Sequence, residues 1–432
     1  MKVCGIIAEY NPFHNGHKYQ IEEARKCLGA DYVIVAMSGD FVQRGTPAIF
    51  DKYTRAHMAL LAGADLVLEL PVSIATGSAE RFALGGVTLL DSLGVVDDLC
   101  FGSEAGDLSA LCALSHILAC EPPEFQQRLR EALTSGYNFP QARAMALTAY
   151  LTSEARDAAK DFPGYSFPKN LSLEEMQSLL SSPNNLLGIE YCKAIDRIHS
   201  SIRPFTIKRL GLSYHDSGNP VSERNPSATF LRKLLLDSQG KDSFEELSLT
   251  SYVPEELLLL YKECWDSRSL LSEDSLDLLL HLRLLENSGD SLTRFMDVSP
   301  ALADRIMRLS NRYQSFTSFT ELLKTRELTY TRIQRALLHI VLETASRPNS
   351  DLLSYIHVLG FRRAASPLLK EIKHQSHLPL ITKASQYKAL SPEISEREIR
   401  ENLFVSNLYE SLLQSKNKQA FRHEYEKPVI IL

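Results

Sequence analysis

The N-terminal part of the chain switches repeatedly between two hydrophobic periods, and this alternation restricts the fold more than any other feature. VCGIIAEY, DYVIVAMSG, DLVLELP and DDLCFGSE are short apolar runs of strand length. Between them, KYQIEEARKCLG, DKYTRAHMALLAGA and SAERFALGGVTLLDSLG carry helical spacing, and the first of these ends at a glycine, as helices often do. Repeated strand–helix–strand units predict a parallel sheet with helices on both faces and right-handed crossovers.

From about 105 to 200 the text is helical and polar, with a loop at DFPGYSFPKN, and reads as an insertion. FTIKRLGLSYHD returns to strand character, and PSATFLRKLLLDS is a helix with its start. SQGKDSFEE marks a boundary near 240. Beyond it come helical segments (PEELLLLYKECWD, SLDLLLHLRLLEN, TYTRIQRALLHIVLETA) and a mixed piece, DLLSYIHVLGFRRAASPLLKEIK, with a short strand in LPLIT. The expected division is an α/β domain over 1–238 and a mainly α-helical domain over 239–432, in keeping with the length.

Composition removes several classes. The seven cysteines are scattered, with no CxxC, so neither a zinc site nor a disulfide framework is expected. Such thiols fit a reducing cytoplasm. The first apolar run ends at Glu9, too soon for a signal peptide. MALLAGADLVLELPVSIA is broken by Asp65, Glu69 and Pro71 and is not expected to span a bilayer. Net charge is -6, yet it is unevenly spread. Residues 241–300 carry 5 basic against 13 acidic side chains, and residues 301–390 carry 14 against 6. That reversal predicts a directional field whose basic part suits an anion such as RNA.

The chemistry is announced by HNGH, directly after the first strand. Ligands of parallel α/β sheets bind beyond the carboxyl ends of the strands. Pro12 pre-sets a turn there, and a helix start near Gly16 or His17 offers backbone N–H groups to phosphate. Gly16 allows close approach of the main chain. His14 and His17 can donate hydrogen bonds, and with an unperturbed pKa of about 6.5 they gain charge readily. The competing reading of such a motif is that one histidine caps the helix and the other is incidental.

In this position the motif resembles the HIGH-type nucleotidyltransferase superfamily. That resemblance implies a Rossmann-like sheet, an HxGH turn that holds the triphosphate of ATP, and attack on the α-phosphate with pyrophosphate leaving. Longer stretches narrow it: GIIAEYNPFHNGHKYQ, SGDFVQRGTPAIFDKYTRA, ADLVLELP, CFGSEAGD, SPNNLLGIEYCKAI, IKRLGLSYHD and PSATFLR. In this order they are similar to the bacterial tRNA(Met) cytidine acetate ligase family, strongly over residues 1–235 and more loosely beyond. The resemblance implies that acetate and ATP give acetyl-adenylate and pyrophosphate. The wobble cytidine of elongator tRNA(Met) then takes the acetyl group on its exocyclic amine. Mg²⁺ would arrive with the phosphates, without a dedicated protein cage. No membrane and no obligate protein partner are implied.

Carried over by position, the ATP-binding turn comprises Ile7, Ala8, Glu9, Tyr10, Asn11, Pro12, Phe13, His14, Asn15, Gly16, His17, Lys18, Tyr19 and Gln20, with His14 and His17 as the catalytic pair. Gly102, Asn184 and Arg209 match further ATP contacts. The alternatives are a turn glycine at Gly102, a helix cap at Asn184 or Asn185, and a surface position for Arg209. PSATFLR resembles the ISSTxxR element of related transferases. Thr229 and Arg232 are retained, Pro226 and Ala228 depart, and Ser227 either joins that element or caps the following helix. Asp40, Gln43 and Arg44, in SGDFVQRG beyond the second strand, are expected to face the same crevice. Arg44 would orient acetate or pyrophosphate, and Asp40 would act through Mg²⁺ or water.

For the RNA, Arg332 and Arg335 share a helical face by their spacing, and Arg362, Arg363, Lys370 and Lys373 follow. Together they are candidates for backbone phosphate, against the alternative of a solvated basic face. Two other functions fit HxGH: a small-molecule adenylyltransferase, and a non-catalytic nucleotide-responsive RNA-binding protein. An enzyme using acetyl-CoA would need a glycine-rich signature, and none is evident.

Overall fold

The structure, a computed structural model, describes residues 1–137, 139–152, 172–209, 227–238, 243–244, 247–267, 269–325, 328–346, 348, 352–389 and 395–432. The loop DFPGYSFPKN, the stretch LGLSYHD, Pro226 and most of SQGKDSFEE lie outside these residues. The strands are β1 (Val3–Ala8), β2 (Tyr32–Ser38), β3 (Phe41–Val42), β4 (Thr46–Pro47), β5 (Leu66–Leu70), β6 (Asp98–Ser103), β7 (Arg203–Lys208), β8 (Ile356–Phe361), β9 (Leu380–Ile381) and β10 (Ile430–Ile431). One sheet runs β10-β8-β5-β2-β1-β6-β7, with β9 also on β8, while β3 and β4 form a separate antiparallel hairpin. The stretch from β5 to β7 is parallel throughout, as the alternation predicts.

Period-two side-chain alternation explains why helices cover both faces. Val3, Ile7, Ile34 and Ala36 enter one core, and Cys4, Ile6, Val33, Val35 and Met37 enter the other. Helices α1 (Asn15–Leu28) and α2 (Lys52–Leu61) cover the second face with Ile21, Ala24, Ala59 and Leu60. After a short turn, α3 (Val72–Ala75), helix α4 (Ala79–Asp91) covers the first face with Val87 and Leu90. The apolar run MALLAGADLVLELPVSIA is thereby cut into the end of α2, β5 and α3. Among the described residues no helix is long and apolar enough to cross a membrane.

The expected insertion is α5 (Leu108–Cys120), α6 (Pro123–Thr134), α7 (Phe139–Thr152), α8 (Leu173–Ser181) and α9 (Pro183–Arg197), and α5 and α9 join the first core. Helix α10 (Ala228–Asp237) closes the second face, capped by Ser227, whose Oγ accepts from Phe230 N–H. Helix α11 (Leu258–Asp266) sends Tyr261 into the same core.

The C-terminal part is helical but also feeds the sheet. Helices α12 (Asp277–Glu286), α13 (Gly289–Leu292), α14 (Pro300–Leu309), α15 (Phe316–Leu323), α16 (Tyr330–Leu342) and α18 (Glu396–Asn417) precede or flank α17 (Ser366–Gln375). A third core joins Leu280, Ile306, Phe319, Leu337 and Tyr409 to Phe41 of the hairpin and Val72 of α3. Strand β8 pairs antiparallel with β5, so the sheet crosses the sequence boundary near 238. The mixed piece hid this strand because IHVLGF is buried almost throughout and shows no alternation.

A buried charge network bolts the two halves together. Lys52 Nζ lies 2.9 Å from both Glu69 oxygens, 2.8 Å from Ser406 Oγ and 2.7 Å from Glu424 Oε1. His357 Nδ1 stands 2.6 Å from Glu69 Oε2, and Tyr53 donates to Glu424 at 2.8 Å. Burial opposes charge on Glu69, but Lys52 and His357 overcome it and hold its pKa at about 2. Removing the cation strands two carboxylates without solvent. Lys52→Met is therefore expected to cost about 3–5 kcal/mol of unfolding free energy, read from urea denaturation, with Glu424→Gln costing less.

Candidate active site

The crevice arises where the strand order reverses. Chain order runs from β1 outward through β2 to β5, then jumps back across β1 to β6. Pairing of β1 with β6 stops at Gly5–Leu99, although the strands continue to Ala8 and Ser103. Their carboxyl ends therefore splay at the switch point, where α/β sheets take ligands. Gln20, on α1, fills part of the gap by donating to Cys100 O at 3.1 Å.

Helix α1 opens over this crevice, with His14 as its N-cap. His14 Nδ1 accepts from Gly16 N–H at 3.1 Å, and His17 Nδ1 accepts from the His14 N–H at 3.2 Å. The two rings stack with centroids 3.7 Å apart. Both histidines thus form a reciprocal cap, so the capping reading and the ligand reading hold for the same pair. A Cβ on Gly16 would sit 3.0 Å from His14 Cε1, so glycine makes room for the imidazole as well as for a ligand.

The cap changes which groups remain for an anion. Asn15 N–H donates to Tyr252 O, Gly16 N–H to His14 and His17 N–H to His14 O. The expected supply of unpaired helix-start amides is already used. An Nδ1 that accepts requires the neutral ring to carry its proton on Nε2. Among the described residues neither Nε2 has a hydrogen-bond partner, so the pair offers two N–H donors.

Nor are the rings readily charged, as the sequence suggested. Burial, then the Arg209 and Arg232 guanidinium groups, push His14 down to about 3. Burial, His14 and Arg209 hold His17 well below the usual range. Arg232 is tied to the turn through Asn11 O, and the Arg209 side chain lies over Gly102 near the end of β6. A polyphosphate would reverse the sign of that local field and favour protonated rings.

Around the pair, Tyr10, Phe13 and His17 pack ring against ring at 4.7, 4.8 and 5.4 Å between centroids. Asn11 Oδ1 accepts from Ile49 N–H at 2.8 Å, and Arg232 donates to Asn11 O at 2.5 Å and to Thr229 Oγ1 at 3.0 Å. Segments from the C-terminal part brace the turn: Asn15 Nδ2 donates to Ser251 O, Lys18 pairs with Glu256 at 2.6 Å, and Tyr261 donates to Phe13 O.

Gly102 ends β6 beneath the Arg209 side chain, and Arg209 itself is exposed just past β7. Asn184 Nδ2 donates to Glu104 Oε1 at 2.6 Å, while Glu104 Oε2 accepts from Asn185 N–H at 2.9 Å. The N-cap position of α9 belongs to Ser182, so the alternative of a cap at Asn184 or Asn185 does not hold, and Glu104 takes up the Asn185 N–H.

SGDFVQRG divides. Gln43 N–H donates to Glu9 Oε1 at 2.8 Å, which sets the hairpin tip beside the turn. Its Nε2, like Asn11 Nδ2 and Tyr10 Oη, is buried without a partner. Asp40 instead turns inward: it is 4% exposed and accepts from Lys52 N–H at 2.8 Å. Burial pushes its pKa to about 6. It therefore does not face the crevice, because its carboxylate closes the first turn of α2. As for a cation, Glu69, His357 and Glu424 have metal-ligand spacing among the described residues, but Lys52 Nζ already bonds both carboxylates.

Of the basic candidates, Arg332 is exposed, whereas Arg335 pairs with Asp297 at 3.0 Å and is mostly covered. Arg362 and Arg363 follow β8, whose Phe361 lies opposite Leu66 at the start of β5. They emerge, with exposed Lys370 and Lys373, at the sheet edge opposite HNGH. What sequence reasoning passed over is Arg55. This fully buried guanidinium donates to Glu9 O at 2.7 Å, Ser38 O at 3.0 Å, Phe50 O at 2.9 Å and Gly39 O. The available signal was an arginine among the apolar residues Ala56, Met58, Ala59 and Leu60 of α2.

The neutral histidines generate a pH expectation. Because the folded pKa of His14 is lowered, the unfolded chain binds its proton first. Its contribution is complete above about pH 6.5 and is lost as pH falls toward 3. The drop in melting temperature from neutral to mildly acidic pH should be smaller in His14→Gln than in the parent.

The family model described as HIGH Nucleotidyl Transferase matches residues 1–424. Curated relatives called tRNA(Met) cytidine acetate ligase include those of Caldanaerobacter subterraneus subsp. tengcongensis and Acetivibrio thermocellus. They are 38% and 35% identical, each over 100% of both chains. Among solved structures, Thermotoga maritima TmcAL bound with alpha-thio ATP superposes with a TM-score of 0.84 at 33% identity. The apo form superposes with 0.86 at 32%, and each covers 100% of both chains.

Proposed function

Because this chain belongs to the HIGH nucleotidyl transferase family, as one of its tRNA(Met) cytidine acetate ligases, we propose that it activates acetate with ATP and acetylates N4 of the wobble cytidine of elongator tRNA(Met). It is a ligase that binds ATP. The observation that carries the reading is the stacked His14–His17 pair at the splayed ends of β1 and β6, with Arg232 bonded to the same turn and Arg209 over Gly102.

In the first step an acetate oxygen attacks the α-phosphorus, the bond to the β-phosphate breaks, and pyrophosphate leaves with acetyl-adenylate behind. The chain's task is positioning and charge neutralisation. The Nε2–H groups of His14 and His17 and the guanidiniums of Arg209 and Arg232 supply donors to the phosphates. Gly102 and Asn184 flank the nucleoside end. Acetate is assigned to the Gln43 side, where the buried amide Nε2 lacks a partner and Arg44 stands next in the chain. Mg²⁺ would come with the nucleotide.

In the second step the cytidine amine attacks the acetyl carbonyl, AMP leaves, and the nitrogen loses a proton. The mixed anhydride must be kept from water until the base arrives, which requires the cytidine to be unstacked and presented from a loop. All seven cysteines are free, which accords with the reducing cytoplasm we assign.

Two measurements test this. Mass spectrometry of nucleosides from tRNA incubated with ATP, acetate and the protein should show N4-acetylcytidine, and none without acetate. His17→Ala should lower acetate-dependent ATP–pyrophosphate exchange by at least about 100-fold while the protein stays folded. Exchange at the parental rate in that variant would remove the histidine from the mechanism.

A further inference from the structure

Helix α16 lies on the same sheet edge as the site, and three contacts fix it there. At the hairpin tip, Gly45 has φ +85°, and a Cβ on it would meet Arg335 N at 2.5 Å and Gln334 C at 2.6 Å. The hairpin and the α16 backbone therefore touch with no room for a side chain. On the far side, Thr76, just after α3, shares a 3.0 Å hydrogen bond with His339 Nε2. Between these points, Ile333 and Leu337 enter one core with Phe41 and Val72. The same hairpin presents Gln43 N–H to Glu9.

Arg332 sits one turn before the backbone that Gly45 abuts. It is exposed, at the N-terminal turn of α16. Arg44 immediately precedes Gly45. The hairpin thus links the start of α16 to the end of β1 through Gly45, Gln43 and Glu9, so Arg332 and the HNGH turn lie on one edge of the sheet. Of the other exposed basic side chains, Arg363 follows the end of β8, whose Phe361 is paired with Leu66 at the start of β5, so it emerges at the opposite end of the strands from α16.

Resting on the ligase reading, we infer that Arg332 seats an RNA backbone phosphate a few nucleotides from the reacting cytidine. An exposed guanidinium is suited to this, because it stays charged and meets phosphate with paired N–H groups. The ion pair with Asp297 keeps Arg335 in reserve for structure: it holds α16 in place while Arg332 remains available. The seam also explains why an RNA-facing helix belongs to the C-terminal part yet lies beside a pocket built from the N-terminal sheet.

The test uses the full chain with Arg332→Glu, Arg332→Lys and, as a control at the opposite edge, Lys373→Glu. A tRNA(Met) transcript is the probe. Arg332→Glu should lower kcat/KM for tRNA acetylation by at least about tenfold and reduce the slope of its logarithm against log salt by about 1. Acetate-dependent ATP–pyrophosphate exchange, which needs no RNA, should stay within about twofold of the parent, since Arg332 touches no reacting group. Arg332→Lys should recover most of the loss, and Lys373→Glu should show none. Parental tRNA kinetics in Arg332→Glu would overturn the inference, as would an equal loss in Lys373→Glu. If the parent catalyses neither exchange nor acetylation, the ligase reading falls and takes this inference with it.

Discussion

A single buried guanidinium holds the catalytic edge in shape. Arg55 reaches from α2 to the carbonyl groups of Glu9, Ser38, Gly39 and Phe50. Those oxygens lie where β1 and β2 end and where the chain turns toward the hairpin and α2. Their hydrogen-bonding capacity would otherwise be buried and unmet, at a cost of about 1–3 kcal/mol for each lost partner. The charge itself has no carboxylate in direct contact among the hydrogen bonds it makes, and burial lowers its pKa. Convergent carbonyl dipoles stabilise it instead. Everything that approaches the HNGH turn, from the Glu9 carboxylate to the hairpin tip, is referenced to this clamp.

The site above the clamp is electrostatically poised. Two neutral imidazoles, each locked in one tautomer by a backbone N–H, sit among guanidiniums. The negative charge of a polyphosphate complements that positive potential. The same burial that keeps the rings neutral also fixes their directions, because the cap bonds use both Nδ1 atoms. Preorganised donors of this sort need little reorganisation to meet negative charge.

The C-terminal part is an integral wall of the site. β8 extends the sheet, Tyr261 and Tyr252 hold the turn, and α16 backs the hairpin. Lys52, Glu69, His357 and Glu424 lock residues far apart in sequence into one dry cluster. Such a cluster tolerates no slippage, since a displaced partner leaves a bare charge. It therefore fixes α2 and β5 against β8 and the C-terminal segment that carries Glu424.

Local pattern was enough to determine the parallel sheet, its helices and the position of the HNGH turn. Each depends on interactions within a short window: alternation along a strand, spacing along a helix, and proline and glycine at a turn. The family motifs likewise pointed to Gly102, Asn184, Arg209, Thr229 and Arg232, all of which the fold gathers near that edge or just above it. Only the tertiary structure decided the rest. It showed that Asp40 faces inward, that the histidines are neutral, that the helix-start amides are already spent, and that Arg332 and Arg363 lie at opposite edges. Charge state and accessibility are set by what surrounds a group in space. For Asp40 and His14 that is first of all burial, opposed by Lys52 at the one and reinforced by Arg209 and Arg232 at the other, and for Arg363 it is the antiparallel course of β8, none of which a local reading of the chain can supply.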